Sequence, residues 1–237
     1  MKTAGLLAAL ALAAACSNIT ETPGGVGSIQ LFTPYPPEVE VGQTIKLRAL
    51  ALSGSGDSLA TVPIYWRRLD TTIVVDSVQG LLTGVIAGQK GRVIARAIDL
   101  YSKTDTFSVL ARVDTVILAA PDTQTVSAAD TASTELTALL EGGLPLAPAS
   151  GRRVGYAVIL PIFASADDRT VEFSNSALQL TVSTGAAGTP SPGVRLRRVS
   201  GRTPPDSAVV SVTVYRPGGE EAVPGSGQRF VIRFAKP

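Results

Sequence analysis

The sequence predicts an all-β protein, two antiparallel β-sandwiches behind an N-terminal signal helix. Three observations carry this. Beyond residue 17 no long apolar stripe with a 3.6-residue period occurs. In its place come short runs in which apolar and polar residues alternate, the pattern of half-buried strands. These runs are punctuated by turn formers, with 23 glycines and 16 prolines in 237 residues. That length suits one large or two ordinary domains. An apolar share of 45% supplies a core, although much of it is alanine and aromatics are only 5%.

The first element is the start, MKTAGLLAALALAAACSN. Lys2 gives a short positive region, and Ala4–Ala15 form an apolar run of twelve residues, too short to span a bilayer comfortably. This is the layout of a secretion signal. With Cys16 at the cut it resembles a bacterial lipoprotein signal, in which a peptidase cleaves before the cysteine and the thiol is lipidated. The family usually has a leucine-like residue three places before the cysteine; here that place holds Ala13, with Leu12 one step earlier. The resemblance implies a signal peptide at 1–15, a lipid on Cys16 and attachment to a membrane. By analogy with lipoprotein sorting, Ser17 rather than Asp at the next position points to the outer membrane. Cys16 is the sole cysteine, so no other thiol is left to pair after export. Residues 16–26, polar and glycine-rich, read as a flexible tether.

The next element covers 27–111. Strands are expected at Ser28–Phe32, Glu38–Val41, Gln43–Leu52, Pro63–Arg68, Ile73–Asp76, Leu81–Val85, Arg92–Ile98 and Thr104–Leu110. Along QTIKLRALAL, Ile45, Leu47, Ala49 and Ala51 share one face, Lys46 and Arg48 the other. Gly80 and Gly84 bracket Leu81–Thr83, and Gly88 precedes the next strand; glycine at such places supplies positive φ or lets two backbones approach. After Gly91, Val93, Ala95 and Ala97 point one way, Arg92, Ile94 and Arg96 the other.

The order VEVGQTIKLRA, lone Trp66, then IVVDSVQGLLTGVIAGQKGRVIARA resembles bacterial immunoglobulin-like domain group 2, the repeat of intimin-type adhesins and many secreted proteins. Val41-Gly42, Trp66, Val75-Asp76, Gly80, Leu82–Gly84 and Gly91–Ala97 occupy its characteristic places. Arg67, Arg68 and Leu69 depart from it, where the family often has serines and asparagine. The resemblance implies an Ig-like sandwich with Trp66 in its core.

The last element, 112–237, is less legible. Strands are expected at Thr134–Leu140, Val154–Ile162, Thr170–Phe173, Leu178–Val182, Val194–Val199, Ala208–Tyr215 and Arg229–Phe234, with loops at Ser183–Pro192 and Ser200–Asp206. A second Ig-like sandwich with extended loops is the natural reading, although the Trp–Gly pattern does not recur. A looser sandwich or an accessory sheet is the alternative.

Chemistry is sparse. There is no histidine, which removes the commonest general base and transition-metal ligand. The patterns G-x-S-x-G, S-x-x-K, G-x-x-x-x-G-K-[ST] and strand-to-helix G-x-G-x-x-G are all missing. The adjacent acids Asp167-Asp168 and Glu220-Glu221 do not suggest two carboxylates across a cleft. Asp precedes Ser or Thr at eight places: Asp57, Asp70, Asp76, Asp105, Asp114, Asp122, Asp130 and Asp206. These are scattered calcium ligands or, better, turn residues bonding nearby backbone. Lys and Arg number 21 against 19 acids, spread evenly, which argues against a nucleic-acid partner. The densest basic cluster is Arg195, Arg197 and Arg198, to which Arg152 and Arg153 are added; it is either a phosphate or acidic-sugar site or, preferably, a charged outer face that discourages edge pairing.

The expected protein is a non-enzymatic, exported, lipid-anchored envelope protein with a structural, adhesive or docking role. Its partners are the membrane through Cys16 and an envelope protein or polysaccharide. The alternative is a calcium- or glycan-binding accessory module of an exported complex. No catalytic residue, metal ligand or cofactor is nominated, and no binding residue is assigned.

Overall fold

The computed structural model describes residues 25–218 and 221–236. The signal segment and Cys16 lie outside the described residues. Most of the expected tether also lies outside them; its last residue, Val26, is already buried in the first strand.

Ten strands build the first unit: β1 (Val26–Phe32), β2 (Glu38–Glu40), β3 (Thr44–Lys46), β4 (Arg48–Ser53), β5 (Tyr65–Arg68), β6 (Ile73–Val75), β7 (Leu81–Gly84), β8 (Lys90–Ala97), β9 (Leu100–Tyr101) and β10 (Asp105–Leu110). One layer runs β2-β10-β8-β5, with β9 on β8; the other comprises β1-β4 and β3-β7-β6. The expected single strand Gln43–Leu52 is broken at Leu47, where its partner changes from β7 to β1. The face assignment survives the break: Leu47 and Ala51 are buried, Lys46 and Arg48 exposed. Val39, Trp66, Val93, Ala95, Phe107 and Val109 from one layer pack with Leu47, Ile73 and Leu82 from the other. The opening segment changes layers, pairing antiparallel through β1 and then parallel through β2 with β10. Two facing sheets with this strand order form an Ig-like sandwich.

The glycines of the middle hairpins have distinct tasks. Gly84 lies against β2: an added Cβ would stand 2.5 Å from the Glu40 carbonyl oxygen. Gly88 has φ +75°, with open space around it. Gly84→Ala must therefore push a backbone aside and should destabilise the chain by about 2–3 kcal/mol. Gly88→Ala meets only the conformational penalty, about 1 kcal/mol. Denaturant titration followed by Trp66 fluorescence would check the order; equal costs would remove the close approach as the reason for Gly84.

Eleven strands build the second unit: β11 (Thr115–Leu118), β12 (Thr123–Val126), β13 (Ala138–Gly142), β14 (Ala147–Pro148), β15 (Arg153–Leu160), β16 (Val171–Glu172), β17 (Gln179–Thr184), β18 (Pro190–Ser191), β19 (Arg197–Arg198), β20 (Ser207–Thr213) and β21 (Arg229–Phe234). The large sheet runs β12-β21-β20-β15-β17-β18. Opposite it lie β11-β13-β14 and the pair β16-β19, joined to the chain at 132–136 by Ser133 N–H to Leu196 O and Leu136 N–H to Val194 O, each 2.8 Å. The layer change recurs: β11 pairs with β13, then β12 runs parallel to β21. The Ig-like topology thus repeats without the Trp–Gly pattern. Tyr156 fills its centre, donating to Leu136 O at 2.9 Å and meeting Phe173 edge-on; burial pushes its phenol pKa up. The expected loop Ser183–Pro192 is corrected, since β17 extends to Thr184 and β18 returns beside it. β11 and β12 were not expected.

Candidate functional site

The most constrained polar site lies where the two units meet, and it begins with the stretch EVEVG. Alternation turns Val39 into the first core and Glu38 and Glu40 outward. In most strands the outward side is wet. Here β10, which pairs with β2 through Glu40 and Leu110, leads straight into residues 111–113 and then β11. The second unit is therefore brought down over the outward acids.

Glu40 is 1% exposed and sits between two arginines of the second unit. Its Oε1 contacts Arg152, which is 2% exposed, and its Oε2 contacts Arg216. The Oε1 contact is an ion pair without an aligned hydrogen bond. Arg152 also donates to Ala111 O at 3.0 Å and Tyr215 O at 3.2 Å. Arg216 donates to Val113 O at 3.1 Å and Glu221 at 3.0 Å. The connecting residues are thus held from both sides by the same guanidinium groups that hold Glu40. Gln43 adds a neutral link: it accepts from Glu40 N–H and donates to Pro217 O, both at 2.9 Å. Glu38 pairs with Arg153 at the rim. Burial pulls the Arg152 pKa down against the opposing pull of Glu40. Burial also acts downward on Arg216, but Glu221 and Glu40 together leave it raised.

A buried ion cluster is poor evidence of net stability, because desolvation of each charge offsets the attraction. What it does provide is a geometric requirement, since a carboxylate buried beside two guanidinium groups has few arrangements that satisfy all three. The cluster links the two sandwiches through Glu40 of the first and Arg152 and Arg216 of the second. Beside it opens a cleft of about 360 Å³ walled by Tyr35, Glu38, Arg153, Thr181, Thr213 and Tyr215.

The expected basic cluster does not form as one. Arg152 and Arg153 belong to the junction. Arg195 pairs with Glu135 at 3.3 Å and Arg197 with Glu172 at 2.8 Å. Arg198 donates to Ser127 O and Ala235 O and lies over the Phe234 ring. The strand-edge reading is also corrected, because β19 lies between β16 and a bridge to Ala132. Trp66 is in the core. Some of the Asp-Ser/Thr pairs supply turn chemistry and others do not: Asp76 accepts from Gln79 and Val78 N–H within its own turn, which holds its pKa below the ordinary value, whereas Asp114 reaches across to a distant segment. Asp114 accepts from Gly143 N–H and from Arg112, with the same direction of shift. Among the described residues no three Asp, Glu, Cys or His side chains gather as metal ligands, and no helix is long and apolar enough to cross a membrane.

No protein-family model matches the sequence, and no characterised relative does. Solved structures give distant likenesses. The adhesin InvE of Yersinia pseudotuberculosis is 13% identical over 90% of this chain, with a TM-score of 0.40; this chain spans 61% of that one. Fibronectin(III)-like modules of Clostridium thermocellum CbhA are 15% identical over 88% of this chain and 94% of theirs, at 0.37. The Escherichia coli adhesin FdeC is 15% identical over 87% and 64%, at 0.34. At these scores the superpositions add nothing to the strand order described above.

Proposed function

We propose that the chain is an exported, lipid-anchored envelope protein whose two sandwiches, 27–111 and 112–237, form a stiff stalk with a structural or adhesive role and no reaction of its own. The observation that carries the reading is the junction: Glu40, Arg152 and Arg216 tie both units and their connection into one arrangement, as a spacer requires. Gly84 against β2 and Trp66 in the core support assigning the first sandwich to bacterial Ig-like group 2. The anchor rests on Cys16 and the apolar run before it, and Ser17 favours the outer membrane.

Two or three acyl chains, each CH₂ contributing about 0.8 kcal/mol, exceed what stable attachment needs. Cys16→Ser should therefore leave an unprocessed precursor or release the protein into the soluble fraction. Fractionation of cells expressing each form provides the check. A Cys16→Ser protein that is processed and remains membrane-bound like the parent would sink the anchor.

A further inference from the structure

The outer face of the β2-β10-β8-β5 sheet combines two exposed rings with unbalanced cations. Tyr65 on β5 lies opposite Arg96 on β8, and Arg96 lies opposite Tyr101 on β9. The three make one row across the sheet, with the Arg96 guanidinium 5.7 Å from the Tyr101 ring centre. The two rings are 48% and 49% exposed. The next row holds Arg67 opposite Ile94, and Arg92 and Lys90 continue along β8. Asp99 offsets Arg96 and Asp70 offsets Arg92. Arg67 and Lys90 have no ion-pair partner among the described residues. The face therefore carries a local positive excess in a chain whose net charge is only +2.

We infer that this face binds an acidic polysaccharide, one bearing a carboxylate on its sugar rings. The inference rests on the proposed placement of the chain in the envelope and names the chemistry of its partner. Exposed tyrosines offer apolar faces to the C–H side of a pyranose and a hydroxyl at the rim. Arginine grips carboxylate with two parallel hydrogen bonds. Duplex DNA presents a charge about every 1.7 Å and calls for a denser cationic surface than one interrupted by Ile94.

The test is affinity electrophoresis of the full chain, purified in detergent, through gels containing polygalacturonate, neutral dextran or duplex DNA. Polygalacturonate should retard the protein, dextran should not, and salt should weaken the effect. The double variant Tyr65→Ala, Tyr101→Ala should weaken binding roughly tenfold. Arg67→Ser should weaken it about threefold, and it removes an exposed side chain, so it remains informative if the tyrosine variant is unstable. Arg48→Ser, an equal change of charge on the opposite layer, should leave binding intact. No retardation by polygalacturonate, DNA binding as tight as polygalacturonate binding, or an Arg48→Ser loss equal to that of Arg67→Ser would each overturn the inference. None of these outcomes bears on the fractionation of Cys16→Ser, so the anchor and the ligand stand or fall separately.

Discussion

Glu40→Ala should destabilise the folded chain by about 3–5 kcal/mol, the range for removing one partner of a buried ion pair. It leaves the Arg152 and Arg216 guanidinium groups facing each other with no carboxylate between them, and Arg152 has almost no access to water. In a thermal scan the loss corresponds to roughly 10 °C for a chain of this size. Small-angle scattering should show the angle between the sandwiches loosening at temperatures where both remain folded. The complementary variant replaces all three charges with apolar residues of similar volume: Glu40→Leu, Arg152→Met and Arg216→Met. It should recover part of the Glu40→Ala loss, because no uncompensated guanidinium charge remains, but not all of it, because the Ala111, Val113 and Tyr215 carbonyls lose their donors. If Glu40→Ala melts within about 2 °C of the parent, the junction is not closed in solution and the stiff-stalk reading fails with it.

Trp66→Ala should cost about 3–5 kcal/mol, the range for deleting a large core aromatic. Its ring packs over Gly80, where an added Cβ would stand 2.6 Å from the indole Nε1, and its backbone N–H donates to Ser77 O at 2.8 Å. Removing it therefore empties the space between β5 and the turn before β7 as well as its share of the core. Trp66 is the only tryptophan, so emission reports this one site. A blue-shifted spectrum that moves red on unfolding is expected. Emission typical of exposed indole in the native chain, with little stability change on substitution, would move Trp66 to the surface.

The sequence made the first sandwich legible because its alternation is clean and its glycines mark the strand ends. It was less informative where strands are short or irregular. Thr115–Leu118 and Thr123–Val126 are four residues each, flanked by Ala-Ala-Pro and Asp-Thr. They are strands only because β13 and β21 lie ready to pair with them, a long-range fact that no local pattern carries. The junction was illegible for a different reason. Alternation correctly turns Glu40 outward, but whether an outward face meets water or a neighbouring unit depends on the path of the chain after Leu110. Arg152 and Arg153 were grouped with Arg195–Arg198 by charge alone. The two are neighbours pointing opposite ways, so one is buried against Glu40 and the other stands at the rim with Glu38.

The parallel pairings β2 with β10 and β12 with β21 carry a mechanical consequence. In each sandwich an early strand and the final strand lie side by side and point the same way. A pull applied at the two ends of such a unit slides these strands lengthwise past each other. Their hydrogen bonds then share the load at once and must fail together, whereas strands peeled apart from one end lose their bonds singly. Because residues 111–113 are gripped by Arg152 and Arg216, the connection between units offers little slack to absorb extension first. Tension therefore passes from one sandwich to the next through two shear-loaded seams in series, and the seam with fewer paired residues, β2 with β10, is the one that sets the yield.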